Sequence, residues 1–324
     1  MGYKREDASA DLFDSYLAAP PKNETLERLN RLIDWSGLRR IMASAYDEDL
    51  GREGFDPVLP FKLLLLQQWY RLSDRDVVFM ASDSLTFRKF LGLKASSRVP
   101  DDTTLVKFRG RLRSAGILKD LFEEITKQMA AQGLAVREGS IHLVDATIIA
   151  AAPAAPTKST PPEDLPDPDA SFTRKNGKYY YGYKLHVDQD RETGLIVRHK
   201  VTTAKVHDSQ VFEELLTCNP AEVLADKAYD NKRLRKFCRR AKIRCGIMHQ
   251  ARGKGELSRY KRGRNRLLKP LRAFVEGVPA VLKRFLRCGR AVYLGLERVT
   301  MQLDFGVMAF NLRRHAALYQ ERCA

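Results

Sequence analysis

Residues 141–152, IHLVDATIIAAA, set one carboxylate into a run that is otherwise almost wholly apolar. The density of β-branched Ile, Val and Thr makes residues 141–149 a strand rather than a helix. Asp145 is the misfit, because strands disfavour aspartate and an unpaired buried charge is costly. Two explanations are open from the stretch alone. The carboxylate faces solvent at a sheet edge, or a central strand holds it as a metal ligand.

Upstream, residues 1–138 read as an all-α domain. Residues 23–26 can start a helix through LERLNRLIDW, with Leu26, Leu29, Ile33 and Trp35 on its apolar side. Pro57 and Pro60 punctuate the chain before FKLLLLQQWYRL, where residues 63–66 are apolar all round and predict a helix in the middle of a bundle. Ser73 predicts a cap, with Asp76 in the capping-box position, for a helix through VVFMASDSLTFRKFLGL that Gly92 ends. Pro100-Asp101-Asp102 makes a turn, and Thr103 or Thr104 is the expected cap of the next helix. Gly116 and Gly133 punctuate the last two helices. Arg75, Arg88, Lys89, Lys107, Arg109, Arg111 and Arg113 have two open uses, as phosphate contacts or as solvated helix faces. The helices near Asp74 and Thr103 could form a helix-turn-helix, or this domain could serve dimerisation.

Downstream the periodicity changes. Residues 150–178 are rich in proline and poor in apolar side chains, so an irregular insertion is expected there. Residues 181–187 and 195–203 read as a hairpin turning at Glu192-Thr193-Gly194, which makes Asp188 and Asp190 turn residues. HDSQVFEELL is a helix capped by Asp208 or Ser209. Residues 223–225 form a short strand running into Asp226, NKRLRKFCRRAK a basic helix, and IRCGIM a further strand. LLKPLRAFVEGVPAVLKRFL reads as a helix with a weak point at Gly277–Pro279. The order predicts an α/β fold, a mixed sheet with flanking helices whose sites form at strand ends. A domain over 139–316 and a tail over 317–324 complete the expected organisation.

Length permits two domains, since the chain has 324 residues. Its formal net charge of +17 is concentrated: residues 231–290 hold 21 Lys and Arg against Glu256 and Glu276, a net of +19. Such a segment reads as a surface for a polyanion. Five cysteines, none in a C-x-x-C pair, argue against a zinc site or a disulfide framework and for a reducing, cytoplasmic location. No signal-peptide pattern opens the sequence, and no apolar run approaches a membrane span.

Asp145, Asp226 and Glu276 are the acids that this order of elements can bring together. Mg²⁺ or Mn²⁺ takes carboxylate oxygens and leaves places for water and phosphate. Two such ions can activate a hydroxyl and stabilise the leaving oxygen of a phosphodiester. Arg and Lys around metal-filled acids attract the nucleic acid that bare acids would repel. Asp208 is the rival carboxylate.

At these residues the sequence resembles bacterial insertion-sequence transposases of the DDE class, most closely the group named after insertion sequence five. LVDATIIAA resembles the first-Asp motif, LADKAYDN the second-Asp motif and RAFVEGVPAVLK the Glu motif, while PFKLLLLQQWYRLSDRDVVFMASDSLTFRKFLGL and VPDDTTLVKFRGRL resemble the group's helical domain. The resemblance implies a ribonuclease H-like sheet, and Asp145, Asp226 and Glu276 as the catalytic and metal-binding triad with two Mg²⁺ or Mn²⁺ ions. It implies that Arg272 and Lys283 hold phosphates, with Lys269, Arg264, Arg266, Lys227 and Arg284 as further DNA contacts. Three positions depart from the pattern. Lys269 stands where a Tyr is usual, Gly277-Val278-Pro279 where His and an aromatic are frequent, and Asp102 where His is frequent. The implied partners are double-stranded DNA, as transposon ends and target, and a second copy of the chain on that DNA, in the bacterial nucleoid. Two other functions share these carboxylates, a DNA-binding regulator without cleavage and a ribonuclease H-like nuclease without strand transfer.

Overall fold

The computed structural model describes residues 3–4, 23–46, 54–94, 96–134, 139–157, 159–175, 177–216, 220–251, 255–272 and 277–323. They fall into two compact units, Met1–Gly133 with Asp304–Ala324, and Leu134–Leu303. No helix among the described residues is long and apolar enough to cross a membrane.

The first unit is helical, apart from a two-residue pairing of Tyr3–Lys4 with Gly54–Phe55. Its first helix, α1 (Glu24–Leu32), starts where Asn23 accepts from the Leu26 amide at 3.2 Å. The expected continuation through Trp35 does not occur. Asp34 accepts from the Ser36 amide and begins α2 (Trp35–Ala43), because a side-chain acceptor at this place competes for the backbone donor that a continuing helix needs. As expected, α3 (Val58–Tyr70) is buried on every side from Val58 to Leu66. Lys62 sits within that run, donating to Asn30 Oδ1 and the Phe90 carbonyl at 2.8 Å, over the rings of Trp35 and Phe90. The Ser73–Asp76 capping box forms at α4 (Asp74–Asp83). Here too one expected helix is two, since Ser84 ends α4 and caps α5 (Leu85–Leu91). Gly92, at φ 75°, closes α5 in the left-handed conformation that glycine adopts without strain. Asp101, rather than Thr103 or Thr104, caps α6 (Asp102–Ala115), its Oδ1 2.7 Å from the Thr104 amide. After Gly116, α7 (Leu118–Met129) completes the series.

The second unit is built on a six-stranded sheet. Its strands are β1 (Ile141–Ala150), β2 (Ser171–Lys175), β3 (Lys178–Asp190), β4 (Ile196–Thr203), β5 (Glu222–Ala225) and β6 (Arg244–Ile247). β1 is central, antiparallel to β3 and parallel to β5; β6 adds in parallel beyond β5, and β3 carries β4 and β2 along its other edge. The sequence β4-β3-β1-β5-β6, three antiparallel strands then parallel ones, is the ribonuclease H-like mixed plan. Gly182 is required where β3 crosses the end of β1, since a Cβ there would lie 2.2 Å from the Ile149 carbonyl. Four further helices are α8 (Asp208–Leu215), α9 (Lys232–Arg240), α10 (Arg259–Arg272) and α11 (Gly277–Phe285). Side chains alternate across the sheet, so adjacent residues face different layers. Val144, Val223 and Ala225 pack with Val211 and Phe212 of α8 and Leu234 and Cys238 of α9. Leu143 and Leu224, on the other face, pack with Leu268 of α10.

Several expectations in this unit change. The proline-rich insertion is not irregular to its end: Ser171–Lys175 pairs with Lys178–Gly182 because its alternating side chains meet a tyrosine-rich partner, with Phe172 against Tyr181. Asp167 pins the insertion, accepting from the Tyr183 hydroxyl at 2.7 Å and the Gly295 amide at 3.2 Å. Asp188 is not a turn residue but a fully buried strand residue, 2.7 Å from His142 Nδ1, whose Nε2 meets the Ser140 hydroxyl at 3.0 Å. Asp190 does hold the turn, accepting from the Thr193 amide and hydroxyl. His207 caps α8, which frees Asp208 to pair with Lys184 at 2.8 Å. The described residues of the segment from 259 to 285 are helical over Arg259–Arg272 and Gly277–Phe285, and the residues between them lie outside the described residues.

The C-terminal helix, α12 (Leu296–Cys323), shifts the expected boundaries. Residues from Asp304 onward belong with the helical unit, not with a domain ending at 316 and a tail at 317–324. The reason is apolar burial: Phe305 meets Phe61 at 5.7 Å, Trp69 donates to the Ala309 carbonyl at 2.8 Å, and Arg28 donates to the Ala316 carbonyl at 2.8 Å.

Candidate metal centre

Strand register makes this site. β1 and β5 run parallel with Val144 level with Ala225. One residue further along, Asp226 leaves the end of β5 beside Asp145, which lies midway along β1, on the face that Leu143 and Leu224 share with α10. Asp226 is in extended conformation and caps a short turn over Lys227–Tyr229, its Oδ1 2.6 Å from the Lys227 amide.

The electrostatics follow from burial and company. Burial pushes the Asp145 carboxyl up to about 6, and the Asp226 charge adds to the shift. The Ala146 amide, Arg272 and Lys175 oppose it. Arg272, in the last turn of α10, binds Asp226 at 3.1 Å and is itself largely buried. Lys283 of α11 is half-buried, which lowers its pKa together with repulsion from Lys175, while Asp145 pulls it back up. Two carboxylates and three cations thus share one field. The buried Tyr229 hydroxyl borders it and has no hydrogen-bond partner among the described residues.

Adjacent carboxylates, one of them forced toward its protonated form, suit a hard divalent cation, which removes both the repulsion and the desolvation cost. The donor set fits the oxygen chemistry of Mg²⁺ or Mn²⁺, and Asp145 and Asp226 are the residues that would hold it. Among the described residues no third His, Cys, Asp or Glu joins them to complete a cluster. Glu276 lies outside the described residues. Asp208, bound to Lys184, is engaged elsewhere.

The other sequence candidates divide. Arg272 and Lys283 come together at the carboxylates. Arg264 spends its guanidinium on the Ile247 and Cys245 carbonyls, tying α10 to the end of β6. Arg266, Lys269, Arg284 and Lys227 are exposed. In the helical unit, Arg109 is buried against Asp74 and Arg88 against the Lys94 and Ser97 carbonyls, so both serve the fold. Arg75 pairs with Asp102 and Lys89 with Glu27. Lys175 and Tyr229 were missed from sequence. Tyr229 could have been suspected three residues beyond Asp226; Lys175 stood in a stretch without strand signals strong enough to place it.

Comparison with known proteins gives two family matches. The model described as Transposase DDE domain matches residues 137–312, and that described as Transposase domain (DUF772) matches residues 14–111. Among solved structures, the chain is similar to a piggyBac transposase synaptic complex with hairpin DNA at 10% identity and a TM-score of 0.46, covering 92% of this chain and 75% of that one. It is also similar to a pre-cleavage Mos1 transpososome at 10% identity and a TM-score of 0.21, covering 92% of this chain and 98% of that one.

Proposed function

The chain belongs to the DDE-domain transposases, and from that premise we propose that it cuts and joins DNA at the Asp145–Asp226 pair with Glu276 as third ligand. Its enzymatic class is DNA cleavage and strand transfer, in a family that uses divalent metal ions. The observation that carries the assignment to these residues is that Asp145 and Asp226 each follow the level pair Val144 and Ala225, with Arg272 3.1 Å from Asp226. Glu276 follows the helix that ends at Arg272 and immediately precedes α11, which carries Lys283. Both flanking cations lie in the field of Asp145.

Two Mg²⁺ or Mn²⁺ ions would supply activation of the attacking hydroxyl and charge on the leaving oxygen. The chain's own groups do the rest. Asp145 is fixed by the central strand and gives up its proton more easily once a cation replaces it. Arg272 orients Asp226 and has further donors for a phosphate. Lys283 supplies a second cation to hold the scissile strand. The substrate is the terminal inverted repeat of an element of the group named after insertion sequence five; water cuts to free a 3′-hydroxyl, which then attacks target DNA. Joining two ends calls for at least two copies of the chain on DNA, acting on the bacterial nucleoid.

The test uses duplexes from the DNA flanking the reading frame. Asp145→Asn, Asp226→Asn and Glu276→Gln should bind them like wild type and lose cleavage in Mg²⁺ by about 10³-fold or more, equivalent to about 4 kcal/mol. Undiminished cleavage by either Asp variant would refute the assignment. Cutting by wild type without joined end–target products would favour a nuclease, and binding without cutting a regulator.

A further inference from the structure

The basic segment of residues 231–290 does not form one surface. α9 packs on the Val144 face of the sheet through Leu234 and Cys238, whereas α10 packs on the Leu143 face, where Asp145 lies. The helix–sheet–helix thickness of the unit separates their outer sides. A duplex seated at the carboxylates and along α10 leaves the outer side of α9 unused.

α9 is built for a partner of its own. At about 100° per residue, Lys232, Lys236, Arg239 and Arg240 fall within an arc of roughly 100°, directly opposite the buried Leu234 and Cys238. All four are exposed, and so is Lys242 just beyond the helix. No acid occurs from Asn231 to Lys242. The neighbouring cations are matched instead: Arg233 with Glu213 at 3.3 Å, Arg235 with Asp230 at 2.8 Å and Arg244 with Glu222 at 3.5 Å. Among the described residues the stripe cations have no such partner. Like charges spaced four apart destabilise a helix, and cations in its first turn oppose its dipole. A partner that supplies closely spaced negative charge reverses both penalties.

We infer that Lys232, Lys236, Arg239, Arg240 and Lys242 bind a second DNA duplex, on the opposite side of the sheet from the one at the carboxylates. The stripe spans about 12 Å along the helix, against 3.4 Å of axis per phosphate of one strand, so it can follow three or four phosphates. It holds no aromatic or amide side chain to read bases, which suits DNA of arbitrary sequence, such as the DNA flanking an element end held at the carboxylates of the other copy. This inference rests on the proposed function, since joining two ends on two copies of the chain brings a second duplex to each copy.

The experiment is titration of the full chain with a labelled short duplex of arbitrary sequence, in EDTA, over a range of salt, with stoichiometry from sedimentation. Wild type should take up two duplexes per protomer. The variant K232A/K236A/R239A/R240A should take up one, with a log K against log salt slope shallower by about 3 to 4 for the lost phosphate contacts. The charge-preserving variant K232R/K236R/R239K/R240K should match wild type, and R266A/K269A/R284A should retain the α9 duplex. An alanine variant with unchanged stoichiometry and slope overturns the inference while leaving the cleavage assignment intact. An alanine variant that binds no duplex makes the stripe the sole DNA surface and overturns the inference as well. Wild type that binds no duplex at all removes the inference and the proposed function together.

Discussion

Asp145 and Asp188 both lie on strands of one sheet, yet their surroundings give them different work. Asp188 is fully buried with His142 as its partner, so removing it leaves an imidazole nitrogen without that partner inside the sheet. Asp188→Ala should cost about 1 to 3 kcal/mol, read from urea denaturation. Asp145 behaves in the reverse way. Its carboxyl, pushed by burial up to about 6 from the ordinary 3.8, holds its proton more tightly in the folded state than in the unfolded state. Stability is therefore highest below about pH 4, falls as pH rises through 4 to 6, and is flat above. Asp145→Asn removes that loss. In EDTA at pH 8 the variant should be more stable than wild type by roughly 3 kcal/mol, and at pH 3.5 the difference should vanish. A variant that is inactive but more stable marks an acid kept for function. Lys62, pushed down to about 7 by burial, is the helical unit's counterpart. A depressed lysine contributes stability that is present above pH 10.5 and is lost as pH falls to about 7, so a Lys62→Met protein should show a flatter stability profile over that window.

At the scale of elements, caps were the most legible features. Asn23, Ser73, Gly92 and Gly116 act as their positions in the sequence suggest, because each satisfies backbone groups of its own neighbours. Asp101→Ala should lower the melting temperature and Thr104→Ala much less, since Asp101 holds the donor at the start of α6. The splits at Asp34 and Ser84 were not legible. Both residues are compatible with a helix interior, and packing of the two halves against different neighbours decides that they cap instead. β2 escaped detection for a similar reason. Residues 171–175 have little strand character until the tyrosines of β3 lie alongside.

For the whole molecule, the final helix is the feature that sequence order concealed. Phe305, Met308, Leu312 and Ala316 are buried, and from Asp304 the chain belongs to the helical unit. Ending the chain at Leu303 should lower the melting temperature of that unit and expose α3 amides to hydrogen exchange, with the sheet strands still protected. Loss of protection in β1 and β3 to the same extent would argue against two separable units.

By itself the sequence determined that the chain has a helical half and a mixed α/β half, that Asp145, Asp226 and Glu276 are the acids to watch, and that positive charge collects in residues 231–290. These are properties of periodicity, local capping and composition, which act over a few residues. Only the tertiary structure decided that Asp145 meets Asp226 while Asp188 meets His142, that Arg272 and Lys283 reach the carboxylates while Arg264 braces a strand, and that the basic segment divides between two faces of the sheet. Those outcomes depend on strand register and on the alternation of side chains across a sheet, where a shift of one residue moves every side chain to the other face.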